Sequence, residues 1–419
     1  MFWLPRKRKV KRRGPTEKNH DPRKPINIVR PETTFCQGER ELRRVSNLKI
    51  AGLADGRIRY IIPVLILSIF RVIVGLTIFR AFVSNLQSTV FPWYTAYHLK
   101  GYLGQIPPYD SWLYLFSGWD TQFYVAIAKN GYFEPLYAFL PAYPILIKAL
   151  AFVLRDQWLA ASSISLLFGT LSLPIFQLIA EDYYPRRESL CCTLVFGFFP
   201  YVFLFTTVAY TESLFIFFTL ASWLFYTRGN HLSSSLACTV AALTKIYGIV
   251  AIVPIFADLI VKRERKKMPF ITLPFVALAA WFIYRFLGTG YWIAPPTAQS
   301  SWAIYGLTFS WIRFALLPVN QAISGDALAT VGFVVLITVL TISVFHLDWR
   351  LGTYSTVMLM LLLAFATIQS LPRFLSFIYP VWLIPRFRSL IPLIILLTLF
   401  AAIDLKFWYT FITANTFIG

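Results

Sequence analysis

Residues 118–144, GWDTQFYVAIAKNGYFEPLYAFLPAYP, decide how this chain is organised. The stretch contains two acids, Asp120 and Glu134, together with closely spaced aromatic residues and three prolines. It is too polar and irregular to cross a bilayer, and it comes soon after the first hydrophobic run. We therefore expect it to form the floor of a functional site on the non-cytoplasmic face of a membrane protein.

The composition is typical of a membrane protein with many spans. Of the 419 residues, 57% are hydrophobic and only 14% are charged, whereas about 25% are charged in an ordinary soluble domain. Many apolar runs reach the roughly 20 residues that a spanning helix needs. The formal charge of +20 is concentrated in the N-terminal tail and in short loops, which is the bias that orients spans. We therefore expect membrane lipids, and no nucleic acid, as partners.

The hydrophobic runs predict an all-α polytopic fold with about eleven transmembrane helices. Residues 1–58 are predicted to form a basic, disordered cytoplasmic tail, and residues 59–419 the transmembrane catalytic domain. Within that domain we expect a large first outer loop with juxtamembrane helices at residues 84–156. A second long outer loop is expected at residues 288–326. The basic clusters then share the cytoplasmic side, as the positive-inside rule requires.

Apolar spacing predicts the local elements around this first loop. Trp119–Lys129 is expected to form a short helix with one apolar side. Ala138–Leu154 contains two prolines and is expected to lie along the membrane without crossing it. Leu190–Val208 is predicted as one outward span, and a short inward span is predicted to end at Pro385–Arg388.

This topology gathers polar residues from separate spans on the outer face. They are Asp120, Glu134, Asp156, Tyr210, Glu212, Lys245 and Arg373, with Arg71 inside the first span as an addition. Acids beside several cations fit a site in which a base takes a proton from an acceptor hydroxyl. Lys or Arg would then offset the charge on a departing phosphate.

The two acids of the first loop have different predicted roles. Asp120 is the predicted base, since Trp119 and its aromatic surroundings would raise the carboxyl pKa by desolvation. Its alternative role is that of a helix N-cap. Glu134 is predicted to hold a metal or the acceptor hydroxyl, and alternatively to be a solvated loop acid.

The remaining candidates also have alternatives. Lys245 and Arg373 are predicted to contact phosphate, Lys245 as a point charge and Arg373 as a bidentate donor, or else to anchor span ends. Glu212 is predicted to orient a pyranose or to cap the following span. Arg71 lies near mid-membrane, where a charge indicates function by default; tilting, snorkelling or pairing would explain it equally well.

Nucleotide-binding motifs are missing from the sequence. There is no P-loop, and the GTG at Gly288 lacks the third glycine and the strand of a dinucleotide site. This favours a lipid-phosphate donor over a nucleotide sugar.

Five motifs resemble, in their order, the PIG-V family of GT-C mannosyltransferases, which includes GPI mannosyltransferase II and prokaryotic relatives. They are WDTQFYVAIAKNGY (119–132), AFLPAYP (138–144), YTESLF (210–215), ALTK (242–245) and PRFL (372–375). The resemblance implies a GT-C fold and transfer of mannose or another hexose, with inversion, from a polyprenyl- or dolichyl-phosphate sugar to a lipid-linked acceptor. It matches Asp120 to the acid of the first outer loop, and Lys245 and Arg373 to donor-phosphate contacts.

Further expectations complete this hypothesis. A divalent cation and an accessory membrane subunit are compatible with it but not required. The long C-terminal extension associated with the eukaryotic enzymes is missing, which favours a prokaryotic relative in the plasma membrane over an enzyme of the endoplasmic reticulum. The alternatives are a transporter or flippase for a lipid-linked sugar, and a noncatalytic assembly subunit. The lack of internal repeats argues against the transporter, and the outer-face acids and cations argue against the subunit.

Overall fold

The computed structural model describes residues 59–81, 107, 111–134, 136–292, 325–365, 370–387 and 389–413. Every regular element within these ranges is a helix. The predicted tail and most of the predicted second outer loop lie outside the described residues. The α-helices of the described ranges are α1 (Arg59–Ala81), α2 (Thr121–Asn130), α3 (Ala142–Leu154), α4 (Gln157–Glu181), α5 (Arg186–Phe198), α6 (Pro200–Phe205), α7 (Glu212–Thr227), α8 (His231–Thr244), α9 (Ile252–Val261), α10 (Thr272–Thr289), α11 (Gly325–Val344), α12 (Trp349–Phe365), α13 (Leu371–Leu375) and α14 (Leu390–Thr413).

Four helical segments of the described chain are long and apolar enough to cross a membrane. They are α1, α4, the continuous segment Arg265–Thr289 that ends with α10, and α14. Each has 23 to 25 residues, which at about 1.5 Å per residue exceeds a hydrocarbon core of about 30 Å. Several shorter apolar helices accompany them, among them α3, α7 and α12. The described part of the chain is therefore that of an all-helical membrane protein, while the count of about eleven crossings stays a prediction.

The first-loop helix forms where expected but is more enclosed than its pattern indicated. It begins at Thr121 and not at Trp119, because Trp119 has a left-handed φ of +46° that no α-helix tolerates. All residues from Thr121 to Ala128 are buried, so α2 is surrounded by protein instead of presenting one apolar side. The following helix, α3, has 13 residues. At about 20 Å it is shorter than the hydrocarbon core.

Prolines change two of the predicted spans. The predicted span 190–208 is divided at Phe199 into α5 and α6, with Pro200 in the first turn of α6. Proline restricts the residue before it to extended backbone, which ends α5 there. The predicted inward span before Pro385 is also not one helix. It consists of α13 and the 3-10 helix Tyr379–Leu383, each with a proline in its first turn. This irregular segment is buried within protein, where its free backbone groups need not face lipid.

Candidate functional site

The loop that carries Asp120 is held in an unusual conformation. Trp119 adopts a left-handed φ of +46°, which is uncommon for a bulky residue and persists only where the surroundings enforce it. Asp120 precedes α2 at the N-cap position, yet its side chain makes no capping hydrogen bond. Its backbone N–H instead donates to the Tyr210 hydroxyl at 3.0 Å. The structure thus gives no support to the N-cap alternative.

Thr121 connects this loop to the segment that precedes α7. Its hydroxyl donates to the Ala209 carbonyl at 3.0 Å and accepts from the Gly118 N–H at 3.2 Å. The Ala209 N–H donates in turn to the Phe116 carbonyl at 2.8 Å. A Cβ atom at Gly118 would lie 2.7 Å from Cε1 of Phe411, so a side chain there would clash with α14. These contacts fix where Asp120 stands relative to Tyr210.

Glu212 is the centre of the charged group. It is the first residue of α7 and is 1% exposed. Its Oε1 lies 3.1 Å from the Lys245 ammonium and 3.3 Å from Nε of Arg373, and its Oε2 accepts from the Thr211 hydroxyl at 3.3 Å. One buried carboxylate therefore holds two cations that come from distant parts of the chain.

Asp120 belongs to the same electrostatic group. Burial raises the pKa of the Asp120 carboxyl; Arg373 and Lys245 oppose that rise, and Glu212 adds to it. Burial lowers the pKa of Lys245, and Glu212 counteracts it. The acid and the two cations predicted to act together thus lie close enough to influence one another. A carboxyl with a raised pKa is suited to accept a proton near neutral pH.

Aromatic rings enclose the cations. The Arg373 guanidinium lies 4.9 Å from the ring centre of Phe205 and 4.6 Å from that of Phe374, and the Lys245 ammonium is 4.6 Å from Phe374. Ring faces attract cations, more strongly where water is excluded. Beside them is a cavity of about 10 Å³, enough for roughly one water molecule. It is lined by Glu212, Phe215, Lys245, Tyr247, Met358, Phe374 and Phe377.

Three other predicted residues are placed differently. Glu134 is exposed in the turn after α2 and is electrostatically coupled to Tyr137. Arg71 is buried in α1 and donates to the hydroxyls of two threonines, so the structure favours the paired alternative over snorkelling. Asp156 caps α4, since its Oδ1 accepts from two N–H groups of the first turn, at 2.7 and 2.9 Å.

A metal site has no dedicated ligand set in the described part of the chain. No group of three or more His, Cys, Asp or Glu side chains stands close enough there to hold an ion. Oε1 of Glu212 already forms ion pairs with both Lys245 and Arg373. A divalent cation therefore stays a prediction that involves Glu134.

Sequence reasoning missed residues that support the site. Thr121 and Gly118 lie within two residues of Asp120 in the sequence, and this closeness to the predicted base is the signal that could have identified them. Phe411 and Asp404 come from α14, where a long apolar run gave no indication of either. Phe411 packs against Gly118 and Tyr210 from the far end of the chain, and Asp404 is buried in the same helix.

Comparison with known proteins supports the resemblance. Residues 108–262 match the family model described as Mannosyltransferase (PIG-V). This segment includes Asp120, Tyr210, Glu212 and Lys245 but not Arg373.

Two curated proteins are similar over part of their length. GPI mannosyltransferase 2 of Schizosaccharomyces pombe is 25% identical over 187 residues, which cover 41% of this chain and 40% of that protein. GPI alpha-1,6-mannosyltransferase 2 of Mus musculus is 28% identical over 148 residues, 32% of this chain and 30% of that protein. The matched part thus spans less than half the length of either relative. Both organisms are eukaryotes, so the prediction of a prokaryotic plasma membrane gains no support. No solved structure gives a significant match. Over residues 108–262, the chain is thus similar to the PIG-V mannosyltransferase family.

Proposed function

We propose that this protein is a membrane glycosyltransferase with a GT-C fold of about eleven transmembrane helices. It moves mannose, or another hexose, from a polyprenyl- or dolichyl-phosphate sugar to a lipid-linked acceptor on the non-cytoplasmic face. The observation that carries the proposal is the charged group of Asp120, Glu212, Lys245 and Arg373, in which Glu212 and Arg373 are buried and Asp120 and Lys245 are half-buried. The family match adds the expectation that mannose is the transferred sugar.

Asp120 acts as the base in this proposal. Its carboxylate accepts the proton of the acceptor hydroxyl, and the hydroxyl oxygen attacks the anomeric carbon from the side opposite the phosphate. The bond between that carbon and the phosphate oxygen breaks, which inverts the anomeric configuration and releases the lipid phosphate. The hydrogen bond from the Asp120 N–H to Tyr210 holds the base in place, and orientation of this kind lowers the barrier.

Lys245 and Arg373 stabilise the charge that develops on the departing phosphate. Glu212 holds both cations at short distance before the donor binds. We therefore assign Glu212 chiefly to positioning the cations, in preference to the predicted role of orienting the pyranose. Trp119 and Tyr210 are proposed to contact the sugars from the base side.

The test is sugar transfer by the purified protein. Radiolabelled polyprenyl-phosphate mannose and membrane lipid acceptors are supplied, and the wild type is compared with Asp120→Asn. Asp156→Asn is a matched control, because it makes the same chemical change at an acid that caps α4 and Asn caps as well as Asp.

We expect transfer to be lost in Asp120→Asn and retained in Asp156→Asn. Equal transfer by the two variants would remove Asp120 from the mechanism. Movement of the labelled lipid across a vesicle without any transfer would instead favour the transporter.

A further inference from the structure

A second charged group, which the proposed chemistry does not use, lies around Arg350 at the start of α12. The Arg350 guanidinium binds Asp348 through two atoms, with Nη2 2.7 Å from Oδ2 and Nε 3.0 Å from Oδ1. Its remaining nitrogen, Nη1, lies 3.4 Å from Oδ2 of Asp258 near the end of α9. The side chains of Asp258 and Asp348 are only 6% and 7% exposed, and a buried charge is costly unless it is paired. Arg350 therefore compensates two buried acids at once.

Two aromatic residues extend this group to α7. The Tyr226 hydroxyl, near the end of α7, donates to Oδ2 of Asp258. Trp223, one turn earlier, has its ring centre 5.2 Å from the Arg350 guanidinium. Lys262 also pairs with Asp258, at 2.7 Å, but it is four residues away in the chain and links no second helix. We call the following residues the arginine network: Trp223, Tyr226, Asp258, Asp348 and Arg350.

The three segments that meet in the arginine network also carry the charged residues of the site. Glu212 is the first residue of α7, which has 16 residues and is about 24 Å long. Lys245 directly precedes the 3-10 helix Ile246–Ala251, which continues into α9. Arg373 lies in α13, the helix that follows α12 in the chain. Each segment thus leads from the arginine network to the site.

Charged contacts join these segments at both ends, through Glu212 at one end and through Arg350 at the other. Apolar packing fixes the relative tilt of helices in a membrane only weakly, because lipid is as apolar as the helix surfaces. A helix of about 24 Å that tilts by about 5° at one end moves its other end by about 2 Å. A misplacement of about 1 Å can already slow a reaction about 100-fold. Release of the Arg350 end is therefore enough to disturb the site.

We propose that Arg350 is a positioning residue for sugar transfer. It joins the far ends of α7, α9 and α12 through the arginine network, and it thereby fixes the distances of Lys245 and Arg373 from Glu212. This inference rests on the proposed function, because the two cations are those that stabilise the departing phosphate. Arg350 itself touches no reacting atom, since it acts from the opposite ends of the helices.

The first measurement is kcat per mole of folded protein for Arg350→Gln in the full chain, with polyprenyl-phosphate mannose as the donor. We expect kcat to fall about 10- to 100-fold, since small displacements of catalytic groups have effects of this size. Arg228→Gln is the matched control. It makes the same chemical change at an arginine that is 53% exposed and pairs with Asp182 at 2.9 Å, and exposed pairs contribute little. A wild-type kcat in Arg350→Gln would overturn the positioning role.

The second measurement separates positioning from a general loss of stability. Arg350→Gln and Glu212→Gln are combined in one chain, and the losses in kcat are compared. Distant sites without shared partners usually give additive effects. If Arg350 acts through the cations that Glu212 holds, Arg350→Gln should lower kcat far less in the Glu212→Gln background than in the wild type. Additive losses would overturn the proposal.

The third measurement does not depend on sugar transfer. An amine-reactive reagent labels Lys245, and mass spectrometry follows the rate. Lys245 is half-buried and paired with Glu212, so we expect labelling to be severalfold faster in Arg350→Gln than in the wild type or Arg228→Gln. Equal rates would overturn the positioning role, even if the wild type transfers no sugar and the proposed function fails.

A milder variant covers the case in which Arg350→Gln does not fold. Tyr226→Phe removes one donor to Asp258 and leaves the ion pairs of Arg350 in place. In all three measurements we expect it to change the result in the same direction as Arg350→Gln, by a smaller factor. Wild-type kcat together with wild-type labelling of Lys245 in this variant would overturn the proposal.

Discussion

Replacing Glu212 by Gln tests whether the charged group works as one unit. The change removes the negative charge from a side chain that is 1% exposed and keeps its size. Its contacts with Lys245 and Arg373, at 3.1 and 3.3 Å, correspond to about 5 kcal/mol each at an effective dielectric constant of 20. Breaking a buried pair typically destabilises a protein by about 3–5 kcal/mol, and we expect a loss in this range.

Loss of the proton from Lys245 limits this loss of stability. An ordinary lysine gives up its proton at pH 7 at a cost of about 5 kcal/mol, and burial already lowers the pKa of Lys245. Without Glu212 the pKa falls further, because the contribution that opposed the burial effect is gone. The variant then loses one phosphate-stabilising charge, and we expect kcat to fall about 100-fold. A lysine is charged below its pKa, so the variant should recover activity as the pH is lowered through the new value, until protonation of Asp120 at still lower pH removes the base.

The assay combines chemical unfolding in a fixed detergent with single-turnover transfer across a pH series. Glu264→Gln is the matched control, because Glu264 forms an ion pair of 2.8 Å with Lys267 where both side chains are more than one-third exposed. Exposed pairs contribute only about 0–1 kcal/mol. If both variants lost the same stability and kept the same kcat, the reasoning about the buried group would be refuted.

Three further predictions concern the loop around the base. Burial raises the pKa of Asp120, so wild-type activity should fall as the pH drops through a value above the usual one of about 3.9, and a pH profile of kcat checks this. Gly118→Ala places a methyl group 2.7 Å from Phe411 and should lower the free energy of unfolding by about 1–3 kcal/mol. Adding Phe411→Leu should restore part of that free energy. Tyr210→Phe removes the acceptor of the 3.0 Å hydrogen bond from Asp120 N–H. We expect it to lower the free energy of unfolding by about 1 kcal/mol and kcat severalfold. An unchanged kcat would show that this bond does not position the base.

The sequence predicted much of the site because charge and hydropathy determine topology. Placing basic loops on one side of the membrane put the segments of Asp120, Glu212, Lys245 and Arg373 on the other, and the structure brings these residues together. Their chemical roles stay predictions. The short helix α2 was visible from its apolar spacing, although its complete burial was not.

The parts that could not be predicted depend on packing between distant segments. No local signal shows that Glu212 would bind two cations through one oxygen, because that requires three helix ends to meet. Prolines at 200, 372 and 380 indicate breaks, but hydropathy averaged over a whole run conceals them. Asp404 was missed for the same reason, since one acid changes the mean of a 24-residue apolar helix very little.

The lipid-facing character of α14 connects the candidate site to the bilayer around it. A helix of 24 residues is about 36 Å long and tilts to match the hydrocarbon thickness around it. Such tilting displaces the end that carries Phe411. That end lies against Gly118, which precedes the strained Trp119–Asp120 turn. We therefore expect the rate of the proposed sugar transfer to depend on the acyl-chain length of the surrounding lipid.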